Sequence, residues 1–161
     1  MHNNTPTGKT PKQDPVYTVK TITAQETYPV RHPVLRAGKP IETCVFTGDD
    51  AADTFHLGLF SGEQLIGVST FMKNEHPDFT GNQLQLRGMA VLTNFQKKGL
   101  GAILADHALA IAKEKKYETL WCNAREIAVP FYKRQGFAIH GEEFDIPGIG
   151  PHFVMHRKIN A

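Results

Sequence analysis

Hydrophobic and polar positions along residues 84–112 first alternate and then change period. Leu84, Leu86, Met89 and Val91 mark an extended segment whose two-residue alternation slips at Gly88. One inserted residue produces such a slip, so a strand with a β-bulge is expected. From Leu100 the spacing becomes helical: Leu100, Ile103, Leu104, His107, Ala108 and Ile111 fall on one face, with Ala102, Asp106 and Ala110 around the rest. This predicts a strand, a polar crossing, a glycine-spaced turn and a helix packed on a sheet.

The flanking patterns extend that sheet. Residues 16–22 alternate as an edge strand does. Residues 24–37 hold Tyr28, Val30, Val34 and Leu35, but Pro29 and Pro33 are expected to limit any helix there to short pieces. Residues 54–60 and 64–72 flank Ser61-Gly62-Glu63, which signals a hairpin. After a loop at residues 74–82, Leu84 resumes the sheet, giving three consecutive antiparallel strands before the helix. Lys113, Lys115 and Lys116 then place positive charge at the helix C-terminus, where the dipole favours it. Residues 119–124 read as an apolar strand, suited to lie parallel to the residue 84–91 strand through a right-handed crossover. Residues 137–159 read as a closing hairpin that turns through residues 147–151.

Composition narrows the classes. A chain of 161 residues can build one substantial core, and dividing it would leave each half marginal, so residues 16–161 are expected to form a single domain. Residues 1–15 contain one apolar residue, Met1, and read as a disordered lead-in. The net charge of +2, from 18 basic and 16 acidic residues, gives no long-range preference for nucleic acid or membrane. With no apolar run near the length of a membrane span and no charged-then-apolar leader, a cytoplasmic location is the expectation. Cys44 and Cys122 are too few for a zinc site or a disulfide framework, and Cys122 reads as a buried, inert thiol. The eight histidines form no ligand pattern, so no metal is expected. Asp49 and Asp50 follow Gly48, a setting in which acids more often cap and turn the chain than act as an acid–base pair.

Candidate chemistry concentrates in Gln96-Lys97-Lys98-Gly99-Leu100-Gly101-Ala102. A helix start leaves backbone N–H groups without partners and carries the positive end of the dipole, so an anionic group is favoured there. Gly99 and Gly101 remove side chains that would hold a diphosphate away, and Lys97 and Lys98 add positive charge. Taken alone, the two glycines are equally consistent with a tight turn. No P-loop run occurs in the chain. The dinucleotide fingerprint also fails, because Leu104 stands where its third glycine belongs.

Gln96-Lys97-Lys98-Gly99-Leu100-Gly101 matches the Gln/Arg-x-x-Gly-x-Gly/Ala signature of the GNAT superfamily of N-acetyltransferases, which this chain resembles. A second block, Ala128-Val129-Pro130-Phe131-Tyr132-Lys133-Arg134-Gln135-Gly136-Phe137, is similar to that family's Ala-x-x-Phe/Leu-Tyr-x-x-x-Gly-Phe. The resemblance spans about residues 54–159. It implies an α/β (α+β) fold with a mixed, mostly antiparallel sheet flanked by helices and two splayed central parallel strands. It also implies acetyl-CoA as cofactor, contacted by Met89, Val91, Gln96, Lys97, Lys98, Gly99, Leu100, Gly101, Ala102, Asn123, Phe131 and Tyr132. Val91 would hydrogen-bond the pantetheine arm, the Met89 N–H would face the thioester carbonyl, and Tyr132 matches the family's general acid. Packing against the cofactor arm is the plainer role for Tyr132. The expected partners are acetyl-CoA and an amine acceptor, without nucleic acid or membrane, in a monomer or homodimer.

Two positions depart from the family pattern. Many relatives carry a glutamate base on the fourth strand, where this chain presents Gln85 and Arg87. The base is therefore open among Glu126, Glu75, His56 and His152. Arg125 stands where the family often has a cofactor-binding Asn, leaving Asn123 to take that contact. Arg87 and Arg125 suit a carboxylate or phosphate on the acceptor, and equally an ordinary surface ion pair. His152 is a further candidate substrate contact beside the last hairpin. Arg31, His32 and Arg36, in the flap implied to border the acceptor site, are weaker candidates for which a solvated face is preferred. Two functions follow: an N-acetyltransferase working by direct transfer in a ternary complex, or a CoA-binding module with little catalysis.

Overall fold

A bulge at Gly88 interrupts the fourth strand of the sheet. In this computed structural model, which describes residues 16–160, strand β1 (Tyr17–Ile22) forms one edge and pairs with β2 (Phe55–Ser61). The Gly62-Glu63 turn joins β2 to β3 (Gln64–Lys73), which pairs in turn with β4 (Gln83–Val91). Along β4 the register steps from Val68 opposite Ala90 to Thr70 opposite Arg87, so Gly88 and Met89 together face Ser69. Gly88 has φ +61°, in the left-handed region, and a Cβ there would lie 2.9 Å from Phe46 Cε2. Glycine is required on both counts.

Beyond the bulge, β4 and its parallel neighbour β5 (Thr119–Arg125) part company. They pair only from Gln83 opposite Thr119 to Leu86 opposite Cys122. After β6 (Ala138–Ile146) the chain returns as β7 (Gly150–Lys158), which inserts between β5 and β6. The described residues thus form a seven-stranded sheet in the order β1-β2-β3-β4-β5-β7-β6, with β4 and β5 parallel. The expected mixed, mostly antiparallel architecture with splayed central parallel strands is present. The expected lead-in at residues 1–15 lies outside the described residues.

Helix α1 (Ala24–Leu35) corrects an expectation: it runs unbroken through Pro29 and Pro33. Thr23 and Glu26 form a reciprocal capping box at its start, with bonds of 2.9 and 3.2 Å. Both prolines lie exposed, four residues apart on one side, so the carbonyls they leave unbonded face water. Thr27, Val30 and Arg31 are buried on the other side.

Helix α2 (Leu100–Glu114) shows a smaller difference. Leu100, Leu104, Ala105, Ala108 and Ala112 form its buried stripe, whereas His107 is exposed and Ile103 and Ile111 are half-buried. The alanines turn inward because their small side chains let the helix lie close on the sheet. Leu57, Leu59 and Phe71 pack with α2, while Val68 packs with Val30 of α1. Adjacent strand residues point to opposite faces, so the two helices cover opposite sides of the sheet. Each fully buried leucine contributes about 1.5–3 kcal/mol, which makes Leu100 and Leu104 the main anchors of α2. Helix α3 (Val129–Arg134) follows β5, with Pro130 in its first turn. No helix among the described residues is long and apolar enough to cross a membrane.

Candidate active site

The splay between β4 and β5 opens two spaces that meet at Met89 and Ala128, residues lining both. The larger, about 510 Å³, runs from Met89 and Val91 along the start of α2 to Phe131. Gln96, Lys97, Gly99, Leu100 and Gly101 line it. Gly99 is the helix N-cap, with φ +75° and no side-chain cap bond, so the N–H groups of the first turn lack local acceptors. A Cβ on Gly101 would sit 2.9 Å from Phe131 Cε1. An uncapped helix start facing a groove that a single methyl group would narrow fits a phosphate-bearing cofactor. Gln96 Nε2 donates to Val91 O at 2.8 Å, tying the loop to the end of β4. Lys98 and Ala102 line neither space; the Lys98 ammonium stands 5.6 Å over the Phe95 ring. Ile127, 87% exposed, and Arg134 also line the groove, and neither was singled out in sequence.

The smaller space, about 190 Å³, gathers Tyr132, Asn123, His152, Arg36, Arg87 and Arg125 with the Phe46 ring. Tyr132 is held between Phe131 and Phe137, with ring centroids 5.1 and 5.2 Å away. Its hydroxyl makes no hydrogen bond among the described residues, and burial pushes its pKa well above the ordinary tyrosine value. The hydroxyl therefore keeps its proton at neutral pH. His152 Nδ1 lies 2.8 Å from the carbonyl of Gly150. A carbonyl can only accept, so Nδ1 carries the hydrogen and Nε2 of the neutral ring is left as the acceptor.

The other candidate bases sit elsewhere. His56 is buried, with Nδ1 2.7 Å from Thr70 Oγ1 and Nε2 3.0 Å from Asp49 O, so both nitrogens are committed to structure. Glu75 and Glu126 are exposed and line neither space. Cys122 lines neither space either, and burial raises its thiol far above the usual range, which argues against an acyl-cysteine.

Arg31 does not lie on the expected solvated face, and the Gly48-Asp49-Asp50 turn holds its partner. Arg31 is fully buried and meets Asp49 in a bidentate pair at 2.8 and 3.0 Å, with further bonds to Cys44 O and Thr70 Oγ1. Asp49 Oδ2 also accepts the Phe46 N–H at 2.9 Å. The acid does turn the chain, but it also neutralises a buried arginine, and that arginine is no substrate contact. Arg36 does line the smaller space, whereas His32 does not and lies 2.6 Å from Lys39 O. Phe46 escaped notice because a lone aromatic in an irregular segment carries no periodic signal. Its ring lies 3.9 Å from the Arg31 guanidinium, 5.2 Å from that of Arg36 and 4.9 Å from that of Arg87.

Comparison with known proteins agrees with this geometry. Residues 19–137 match the model of the acetyltransferase (GNAT) family. The uncharacterized N-acetyltransferase YitI of Bacillus subtilis is 39% identical over 144 residues, 89% of this chain and 97% of that protein. A putative N-acetyltransferase from Lactobacillus plantarum superposes with TM-score 0.73 at 15% identity, covering 89% of this chain and 98% of that one. A GNAT family acetyltransferase from Elizabethkingia anophelis, solved with acetyl-CoA bound, gives TM-score 0.64 at 18% identity over 91% of this chain and 99% of its own. On the extent of the family match and of the YitI alignment, this chain belongs to the GNAT acetyltransferase family.

Proposed function

We propose that this acetyltransferase moves the acetyl group of acetyl-CoA directly onto a primary amine held in the smaller cavity. The observation that carries the reading is the junction at Met89 and Ala128, where a groove led by an uncapped helix start meets a cavity holding a protonated tyrosine and a histidine acceptor. The first-turn N–H groups of α2, together with Lys97, bind the diphosphate of the cofactor. The backbone of Val91 and the Phe131 ring align its pantetheine arm, while Lys98 lines neither space and Asn123 lines the acceptor cavity instead. Acetyl-CoA supplies an acyl group activated as a thioester.

The remaining chemistry belongs to this chain. The Met89 N–H, placed by the bulge at the junction of the two spaces, is the donor for charge developing on the carbonyl oxygen. Tyr132 holds its proton at the hydroxyl and gives it to the departing sulfur. An alkylamine has a pKa of about 10.4 and must shed a proton to react, and His152 Nε2 receives it. Of the four candidate bases, His152 alone lines this cavity.

A second reading, a CoA-binding module, draws on one observation: no carboxylate among the described residues lines either space, and β4 offers Gln85 and Arg87 in place of an acid. A thiol-release assay with pooled primary amines, run beside calorimetry with CoA, separates the two. Direct transfer requires CoA release with at least one amine. Tight CoA binding without release from any amine would favour the module.

A further inference from the structure

Arg36 at the end of α1, Arg87 on β4 and Arg125 on β5 bring three guanidinium groups to one cavity of about 190 Å³. None of the three forms an ion pair among the described residues. Their bonds go to backbone carbonyls: Arg36 to Leu35 O and Thr43 O, Arg87 to Thr47 O, and Arg125 to Leu35 O, at 3.0 to 3.4 Å. Asp49 lies near Arg87 but is not available, because its oxygens already serve Arg31 and the Phe46 N–H. Each of the three arginines is partly withdrawn from water. Gathering like charges at low hydration is unfavourable unless an anion joins them. The Phe46 ring stands 5.2 Å from the Arg36 guanidinium and 4.9 Å from that of Arg87, holding both beside one aromatic face, and guanidinium groups bind carboxylate and phosphate in a two-pronged way.

We propose that the acceptor amine carries its own anion, a carboxylate or phosphate, and that Arg36, Arg87 and Arg125 receive it while the amine faces Tyr132 and His152. This inference rests on the acetyltransfer reading above and names its substrate class. The volume supports a small acceptor, since a cavity of about 150 Å³ is enough to hold benzene. An amino acid with a short side chain fits that scale. A lining with three arginines and no carboxylate among the described residues disfavours polyamines and amino sugars with several cationic amines.

The test compares matched pairs of acceptors with acetyl-CoA and the intact chain: each common amino acid against its carboxamide, and O-phosphoethanolamine against ethanolamine. The acid of at least one pair is expected to release CoA about tenfold or more faster than its neutral partner, the size of one charge-assisted bond. Which pair responds distinguishes carboxylate from phosphate. Arg87→Met and Arg125→Met should each reduce that ratio while the rate with the neutral partner changes less. Neutral partners reacting as fast as the acids would overturn the proposal and leave acetyltransfer standing. If no amine releases CoA, the direct-transfer reading fails, and the anion site is judged by thermal shift with N-acetylamino acids, O-phosphoethanolamine and their neutral counterparts in the presence of CoA. Protection by the anionic members alone supports it, and equal or no protection overturns it.

Discussion

Gly101 and Phe131 meet where the two sequence blocks converge: a Cβ on the glycine would lie 2.9 Å from the ring's Cε1 and 3.1 Å from Cζ. The helix start and α3 therefore share one wall of the larger groove. In Gly101→Ala the methyl group pushes Phe131 into the space assigned to the pantetheine arm. Alanine is favoured over glycine in a helix by up to about 1 kcal/mol, which offsets the strain of that shift. The melting temperature should thus change little while CoA affinity, measured by calorimetry, falls about tenfold. Wild-type affinity would mean that Phe131 does not border the bound arm.

The buried pair of Arg31 and Asp49 makes a second prediction. Asp49→Ala leaves a fully buried guanidinium without its counter-charge and should lower the unfolding free energy by about 3–5 kcal/mol, read from urea denaturation. Burial pulls the Asp49 carboxyl upward, but hydrogen bonds from Arg31 and the Phe46 N–H and the charges of Arg31 and His56 outweigh it, so the net shift is downward. A carboxyl with a depressed folded value contributes stability above its unfolded pKa of about 3.9, and that contribution is lost as pH falls through the folded value. The wild-type protein should lose this increment in strong acid. Asp49→Asn should lack it.

Tyr132 and His152 can be separated kinetically. Tyr132→Phe should lower kcat by about 10²–10⁴-fold with CoA affinity unchanged. Because burial holds the Tyr132 proton in place, no fall in rate from its ionisation should occur below about pH 10. His152→Gln should lower kcat/KM by about 10²–10⁴-fold while CoA affinity is retained. An unchanged kcat/KM would assign the base to another group.

At the opposite end of β5 and β7, His76, His140 and His156 cluster with Phe79 and Trp121, and the rings of Phe79 and His156 stack at 4.6 Å. Burial, followed by the charges of His140, Lys158 and His76, pushes the His156 pKa below its ordinary value. The unfolded chain then binds more protons in this range, so the stabilisation is complete above about pH 6.5 and is lost as pH falls through the folded value. Melting temperatures measured between pH 8 and 5 should decline on the acidic side. His156→Phe, which keeps the stack, should flatten that decline.

Much of this architecture was legible in order along the chain. The change of period at Leu100, the slip at Gly88 and the Ser61-Gly62-Glu63 turn are local signals, because strand, helix, bulge and turn geometry follow from neighbouring residues. Residues of the Gln96 to Gly101 and Ala128 to Phe137 blocks line the same groove, the first as a turn built within one short segment and the second brought there by packing of α3. Local rules erred at α1, where two prolines seemed to forbid a continuous helix. Which side of a helix meets water is settled by packing, and packing placed both prolines outside.

By itself, the sequence determined the order of elements, the bulge and the glycine-spaced turn at the start of α2, since each depends on dihedral preferences and spacings within a few residues. Only the tertiary structure decided that Arg31 is neutralised inside the protein while Arg36, Arg87 and Arg125 converge on one cavity without an acid among the described residues. The fate of a charge depends on burial and on partners brought from distant elements, as with Asp49 for Arg31 and Phe46 against Gly88. No pattern confined to neighbouring residues records that distance in space.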